Sequence, residues 1–414
     1  MTAELNNIFG DLLPAPQLTD AERELLVRVE ALLAGPLLEQ REQIDQAGRY
    51  PTQAMRALAD TGLMRAALPA ALGGMGCSQR FSLEVQLRIA MVDAAVAQLY
   101  KVHDELIREI PQYATAEQAA RLAAEVVNND AIVGLAVAET GRTAEEPLRT
   151  LCERQADGDW LINGEKIYTT GAAGADLIAI WAFNPLKATE DNPLLGMQLF
   201  LAPADTPGIV IHRDWNALGQ RATDSGRLSL ENVRCPDTWL ASVPGKGPLI
   251  HASLRYQAGF AALLTGIGMG ALQSAAPFVT ETSRPWAAAQ VESAADDPYI
   301  QLNLGNHAAA LIGAYHATMQ AADLFAAFEQ GDINRGQLAL PVSAAKVLAH
   351  KAALQACNEI HGLMGTRSVD RRYAFDLFWR NARTLSLHDP VDYKSRELGR
   401  HLLTGWHPPP GVYQ

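Results

Sequence analysis

The spacing of apolar residues changes period twice along this chain, and no single element type can satisfy both periods. From Thr19 to about Asp130 apolar side chains recur every three or four positions. From Ala131 to Val243 they alternate with polar ones, and from Ile250 the helical spacing returns and holds almost to Pro408-Pro409-Pro410, which bars any further element. The chain is therefore expected to be α+β. Its 414 residues divide into an N-terminal helical domain over 1–130, a central β-barrel or sandwich over 131–245, and a C-terminal four-helix bundle over 246–414.

Local signals support that division. Thr19-Asp20-Ala21-Glu22 reads as a capping box opening a helix whose apolar face carries Leu25, Leu26, Val29, Leu32 and Leu33. Helical patterns also cover Gln53 to Thr61 and Ser82 to Ile110, separated by turn signals at Leu68-Pro69 and Gly73-Gly74-Met75-Gly76. Two hairpin signals, Asp157-Gly158 and Asn163-Gly164, flank Trp160-Leu161-Ile162. Strands are expected at Leu177–Phe183, Gln198–Ala202, Gly208–His212 and around Leu228 and Leu230. The long apolar run from Ala258 to Val279 contains Thr265, Gln273, Ser274 and four glycines, so it is expected as a buried bundle helix, not a membrane span.

Composition narrows the partners. A formal charge of −12 with scattered Lys and Arg offers no basic stripe for nucleic acid or anionic lipid. Cys77, Cys152, Cys235 and Cys357 lie far apart without a CxxC pair, so neither a disulfide framework nor a metal site is signalled. The opening residues lack a secretory pattern, and a cytoplasmic location is expected.

Five ordered motifs then carry a resemblance. Gly48-Arg49-Tyr50-Pro51 through Gly73-Gly74-Met75-Gly76, the strand Leu135 to Glu139, the segment Asn163-Gly164-Glu165-Lys166-Ile167-Tyr168-Thr169-Thr170, Gly219 to Pro236, and Ile360-His361-Gly362-Leu363-Met364-Gly365 together resemble the acyl-CoA dehydrogenase superfamily over residues 20 to 405. The positions that decide that family's reaction differ. Leu387-His388-Asp389-Pro390 stands where the resemblance implies a catalytic glutamate, and Ile250 to Gln273 holds no Asp or Glu as a substitute. Gly141-Arg142-Thr143-Ala144-Glu145 replaces the turn that would hold the CoA end of a substrate.

Arg380-Asn381-Ala382-Arg383-Thr384 followed by Leu387-His388-Asp389-Pro390-Val391-Asp392-Tyr393-Lys394 instead resembles the reduced-flavin monooxygenase branch typified by dibenzothiophene monooxygenase. Arg284-Pro285-Trp286, Ala295 to Pro298 and Gly219 to Gly226 add to that resemblance. It implies reduced FMN, with FAD as the other possible flavin, supplied by a separate NAD(P)H flavin reductase. It also implies O₂ addition at flavin C4a, oxygen transfer from the hydroperoxide to a small organosulfur substrate, and a homotetramer. An acyl-CoA dehydrogenase with a relocated base and a non-catalytic flavin-binding oligomer are the alternatives, and the vacant base position and the retained motifs argue against them in turn.

Named residues follow. Pro390 disfavours a helix through Asp389, so one helix should stop by His388 and another start with Asp389 as N-cap and Pro390 in first position. The helix dipole would then keep the His388 imidazole neutral and able to accept a proton. The resemblance places Val137 and Ala138 on the flavin-contacting strand, Thr170 beside the flavin edge, Tyr168 against the ring, and His103 in the pocket. Arg284 and Arg367, the latter beside the Gly365-Thr366 turn, are candidate flavin-phosphate ligands, because a guanidinium grips phosphate through two parallel bonds. In the family this turn reaches the flavin of a neighbouring subunit. No Gly-rich dinucleotide motif follows a strand, so no Rossmann unit is expected.

Overall fold

The structure, a computed structural model, describes residues 8–143, 146–191, 193–243 and 249–411. Ala144 and Glu145, part of the segment replacing the CoA-holding turn, lie outside the described residues. Six helices come first: α1 (Asp20–Leu32), α2 (Leu38–Ala47), α3 (Thr52–Asp60), α4 (Gln79–Val92), α5 (Ala94–Tyr113) and α6 (Ala116–Asn128). Thr19 and Glu22 form the expected capping box on α1. The helical run expected from Ser82 to Ile110 is divided at Asp93, whose extended backbone ends α4 while its carboxylate accepts from Ala95 N (2.9 Å) and Val96 N (3.0 Å) to begin α5. A carboxylate that satisfies two terminal amides makes a helix start more stable at that point than a continuous turn.

Seven strands follow: β1 (Val133–Ala136), β2 (Leu151–Arg154), β3 (Trp160–Lys166), β4 (Leu177–Phe183), β5 (Met197–Pro203), β6 (Ile209–Ile211) and β7 (Leu228–Cys235). They form one sheet ordered β1-β4-β2-β3-β7-β6, with β5 antiparallel on β4. Asp157-Gly158 makes the hairpin between β2 and β3. The second expected hairpin does not exist. Asn163 and Gly164 lie inside β3, where the register against β7 shifts between Ile162 and Gly164. A Cβ at Gly164 would come 2.5 Å from the Thr150 hydroxyl oxygen, so the glycine serves a bulge that passes close to a neighbouring chain segment.

The helical part closes with α7 (Ala252–Glu281), α8 (Pro298–Gln330), α9 (Arg335–Met364), α10 (Asp376–Leu385) and α11 (Val391–Thr404). Three of these are long, and the short pair α10 and α11 packs along α9. Among the described residues α7 is the one helix long and apolar enough to cross a membrane, yet 78% of its apolar window is buried inside the molecule. One hydrophobic core joins the N-terminal helices to α7, α8 and α9, while two smaller ones cover the two faces of the sheet. The β1–β4 end of the sheet is thereby fixed against α5 and α6 by continuous apolar burial.

Candidate active site

Beyond β1 the chain runs beside the segment after β3, with Ile167 N donating to Ala138 O (2.9 Å) and Leu135 N to Thr170 O (3.0 Å). A buried ion pair stands behind this contact: Lys166 Nζ lies 2.6 Å from Glu139 and donates to Val137 O at 3.3 Å. Burial pushes the Lys166 pKa down to about 8 against the pull of Glu139. Burial works to raise Glu139, but Lys166 and the amides of Arg149 and Thr150 outweigh it and hold the carboxyl low. Val137 and Ala138 are thus presented half-buried on a fixed backbone.

Tyr168 sits in the left-handed region (φ 53°), which turns its ring outward to 64% exposure, edge-on to Trp215 at 6.0 Å. Thr170, half-buried, places its hydroxyl 3.0 Å from the Ser225 hydroxyl. Ser225 in turn donates to Thr223 Oγ1 (2.8 Å), and Thr223 donates to Gln220 O (2.9 Å). A string of hydroxyls therefore ends at the sheet rim. Half-buried Val137 and Ala138, exposed Tyr168 and the Thr170 hydroxyl give a surface that a flat heteroaromatic ring could cover, so these residues fit a flavin.

The loop carrying Gln220 to Ser225 is docked on α10. Thr384 Oγ1 accepts from Gly219 N (2.9 Å), Asn381 Oδ1 accepts from Gln220 N (2.6 Å), and Arg380 reaches Asp45 (2.7 Å), Asp376 (2.8 Å) and Leu218 O (3.1 Å). The Arg380–Thr384 motif is thus a joint between the C-terminal helices and the sheet.

Helix α10 ends at Leu385 and α11 begins at Val391, as Pro390 requires, but Asp389 is not a cap. Its carboxylate is buried, with Oδ1 3.2 Å from Lys346 Nζ on α9 and 3.3 Å from His388 Nδ1. A buried ammonium attracts a carboxylate more strongly than the amides of a helix end do, and the sequence signal for Lys346 was only a position on an apolar helix. The His388 ring leans on Phe260 (centroids 4.1 Å apart, planes at 40°), and the same phenyl ring has Lys101 Nζ at 4.1 Å and Lys346 Nζ at 4.4 Å. Although 43% of the His388 side chain is exposed, burial lowers its pKa, Asp389 opposes this, and Lys346 and Lys101 add to it. Neutral imidazole is favoured as expected, but through burial and lysines, not through a helix end.

His103 is placed elsewhere. Fully buried, it donates from Nε2 to Met64 O (2.7 Å) and accepts at Nδ1 from Val133 N (3.0 Å), pinning β1 to the N-terminal helices. Both nitrogens are committed, so its expected pocket role is replaced by a packing role. Arg284, Gly365, Thr366 and Arg367 form a second, exposed group where α7 and α9 end. Ser283 Oγ donates to Met364 O (2.8 Å) and Arg367 Nη1 to Thr282 O (3.4 Å), which brings the two turns side by side. These residues stand on different elements from Thr170 and Tyr168, and could hold a phosphate only at a surface.

Models of the acyl-CoA dehydrogenase N-terminal, middle and C-terminal domains match residues 19–130, 135–233 and 258–393. The chain is 32% identical to dibenzothiophene monooxygenase of Mycolicibacterium goodii, over 89% of this chain and 91% of that protein. It is 31% identical to the probable FMNH2-dependent monooxygenase SfnC of Pseudomonas putida, over 92% and 95% of the two chains. The FMN-bound crystal structure of TdsC from Paenibacillus sp. A11-2 superposes with a TM-score of 0.86 at 30% identity, covering 95% of this chain and all of that one. The chain belongs to the acyl-CoA dehydrogenase family, on the side of that family occupied by flavin-dependent monooxygenases.

Proposed function

We propose that the chain is the oxygenase of a two-component system that uses reduced FMN and O₂ to place one oxygen atom on a small organosulfur substrate. One observation carries this reading. The α10–α11 turn offers an imidazole, and its carboxylate, Asp389, is buried against Lys346 and cannot take an α-proton from an acyl-CoA. The relatives named for dibenzothiophene oxidation and FMNH2 dependence support the substrate class and the cofactor.

When bound, reduced FMN supplies the two electrons that activate O₂; one oxygen atom ends on the substrate and the other leaves as water. Val137, Ala138 and Tyr168 would bear on the flavin ring, and Thr170, backed by Ser225, would offer its hydroxyl at the ring edge. Arg284, Arg367 and the Gly365-Thr366 turn would hold the flavin phosphate of a neighbouring subunit, which accounts for their exposure in a single chain and requires a homo-oligomer, as a homotetramer would be. FAD would meet the same contacts. His388 holds or moves the proton at its imidazole nitrogens as oxygen is transferred. The free, buried cysteines suit a reducing cytoplasm in which an NAD(P)H flavin reductase works.

The test supplies NADH, a flavin reductase, FMN and an aromatic thioether or thiophene, and measures sulfoxide formation under labelled O₂. Incorporation of one labelled oxygen supports the proposal. Hydrogen peroxide alone, together with bleaching of bound oxidised flavin by an acyl-CoA, would overturn it.

A further inference from the structure

We infer that Lys346 is a positioning residue for His388: through Asp389 it fixes which imidazole nitrogen carries the proton and balances the charge that would otherwise draw a second proton onto the ring. This rests on the reading of His388 as the proton-handling group. The same oxygen, Asp389 Oδ1, meets both Lys346 Nζ (3.2 Å) and His388 Nδ1 (3.3 Å), so the carboxylate bridges the two. An ionised carboxylate only accepts hydrogen bonds, which assigns the proton to Nδ1 and makes Nε2 the basic nitrogen of the neutral ring. Without Lys346, the full negative charge of Asp389 would face the imidazole and favour imidazolium, which cannot accept a proton.

The surroundings make Lys346 the balancing cation. On α5, Lys101 is held by Glu105 at 2.9 Å and lies across the Phe260 ring. On α11, Lys394 is 3.2 Å from Glu397, which also accepts from Ser343 at 2.6 Å. His350 on α9, Arg383 on α10 and Asp392 on α11 are further charged and titratable groups near this corner. Lys101 and Lys394 thus have carboxylate partners of their own, whereas the carboxylate of Lys346 is the one shared with the histidine.

A buried ion pair with no bearing on His388 would show the same distances, so the test reads the imidazole itself. Diethyl pyrocarbonate acylates only unprotonated imidazole, and mass spectrometry of the peptide containing His388 gives its reactivity against pH in flavin-free protein. Lys346→Gln is expected to move the midpoint up by about one pH unit, because Asp389 then acts on His388 alone. Asp389→Asn is expected to move it down, because the negative charge that stabilises imidazolium is gone, and Lys346→Arg should leave it near the wild type. Opposite shifts in the first two variants support the inference. Coincident midpoints, or shifts in one direction, overturn it. Should Lys346→Gln fail the circular-dichroism check for folding, Lys346→Met replaces it: a midpoint above the wild type in that variant supports the inference, and an unmoved or lowered one overturns it. The titration needs neither flavin nor substrate, so its failure and a failure of the oxygenase reading are separate results.

Discussion

A Cβ on Gly219 would lie 2.1 Å from the carbonyl oxygen of Arg380, so the loop bearing Thr223 and Ser225, the hydroxyls behind Thr170, touches α10 backbone to backbone. Gly219→Ala must push the loop off the helix and stretch the bonds that Gly219 N and Gln220 N donate to Thr384 and Asn381. Overpacking of this kind costs about 1–3 kcal/mol. Urea unfolding should show that loss, and FMN affinity should fall with it. An unchanged unfolding midpoint would show that the loop yields freely.

Replacement of His388 by Ala should leave the fold intact, since the side chain is partly exposed and neither caps α11 nor fills the core of α10. Oxygenation should fall by about 10²–10⁴-fold, the usual contribution of a general acid or base. The lowered pKa has a defined sign: neutral imidazole persists below the ordinary histidine value of about 6.5, so the wild-type rate should drop only on acidification beneath it. That acidic limb should vanish in His388→Ala. Retention of both the rate and the limb would reduce His388 to a junction residue.

Asp93 gives a stability prediction. Burial raises its pKa from 3.8 to about 6, despite the amides of Val96 and Ala95 that favour the charged form. Below pH 3.8 both folded and unfolded states hold the proton; between 3.8 and about 6 only the folded state does, so stability is lost as pH rises through this window. The loss amounts to roughly 3 kcal/mol at 1.36 kcal/mol per pH unit. Asp93→Asn keeps an oxygen for the cap without the titration. Unfolding measured at several pH values should therefore find the wild type losing ground to the variant from acid to neutral pH, and parallel curves would contradict the assignment.

Arg284→Ala and Arg367→Ala should leave the unfolding midpoint within experimental error, because both side chains are exposed. FMN binding should weaken roughly 10- to 160-fold if each loses a charged hydrogen bond worth about 1.5–3 kcal/mol. Equilibrium dialysis measures this directly. Sedimentation supplies the companion result, since a monomer that binds FMN at wild-type affinity would remove the shared phosphate site.

Period alone determined much of this protein. The helix–strand–helix order, the strand at Leu177–Phe183, a strand over Gln198–Ala202 that the structure extends to Met197–Pro203, the buried α7 and the break at Pro390 follow from apolar spacing and local backbone rules, which are written in neighbouring residues. The role of Asn163-Gly164 was not local: the same dipeptide that turns a hairpin can also carry a bulge, and Thr150 with the β7 partner decided for the bulge. Asp389 likewise reads as a cap until Lys346, 43 positions away, brings an ammonium to it. His103 was expected in the pocket, but Met64 and Val133 take both of its nitrogens. Short-range periodicity is set by bonded geometry, whereas which partner a buried polar group finds depends on residues distant in the chain that only packing brings within hydrogen-bonding reach.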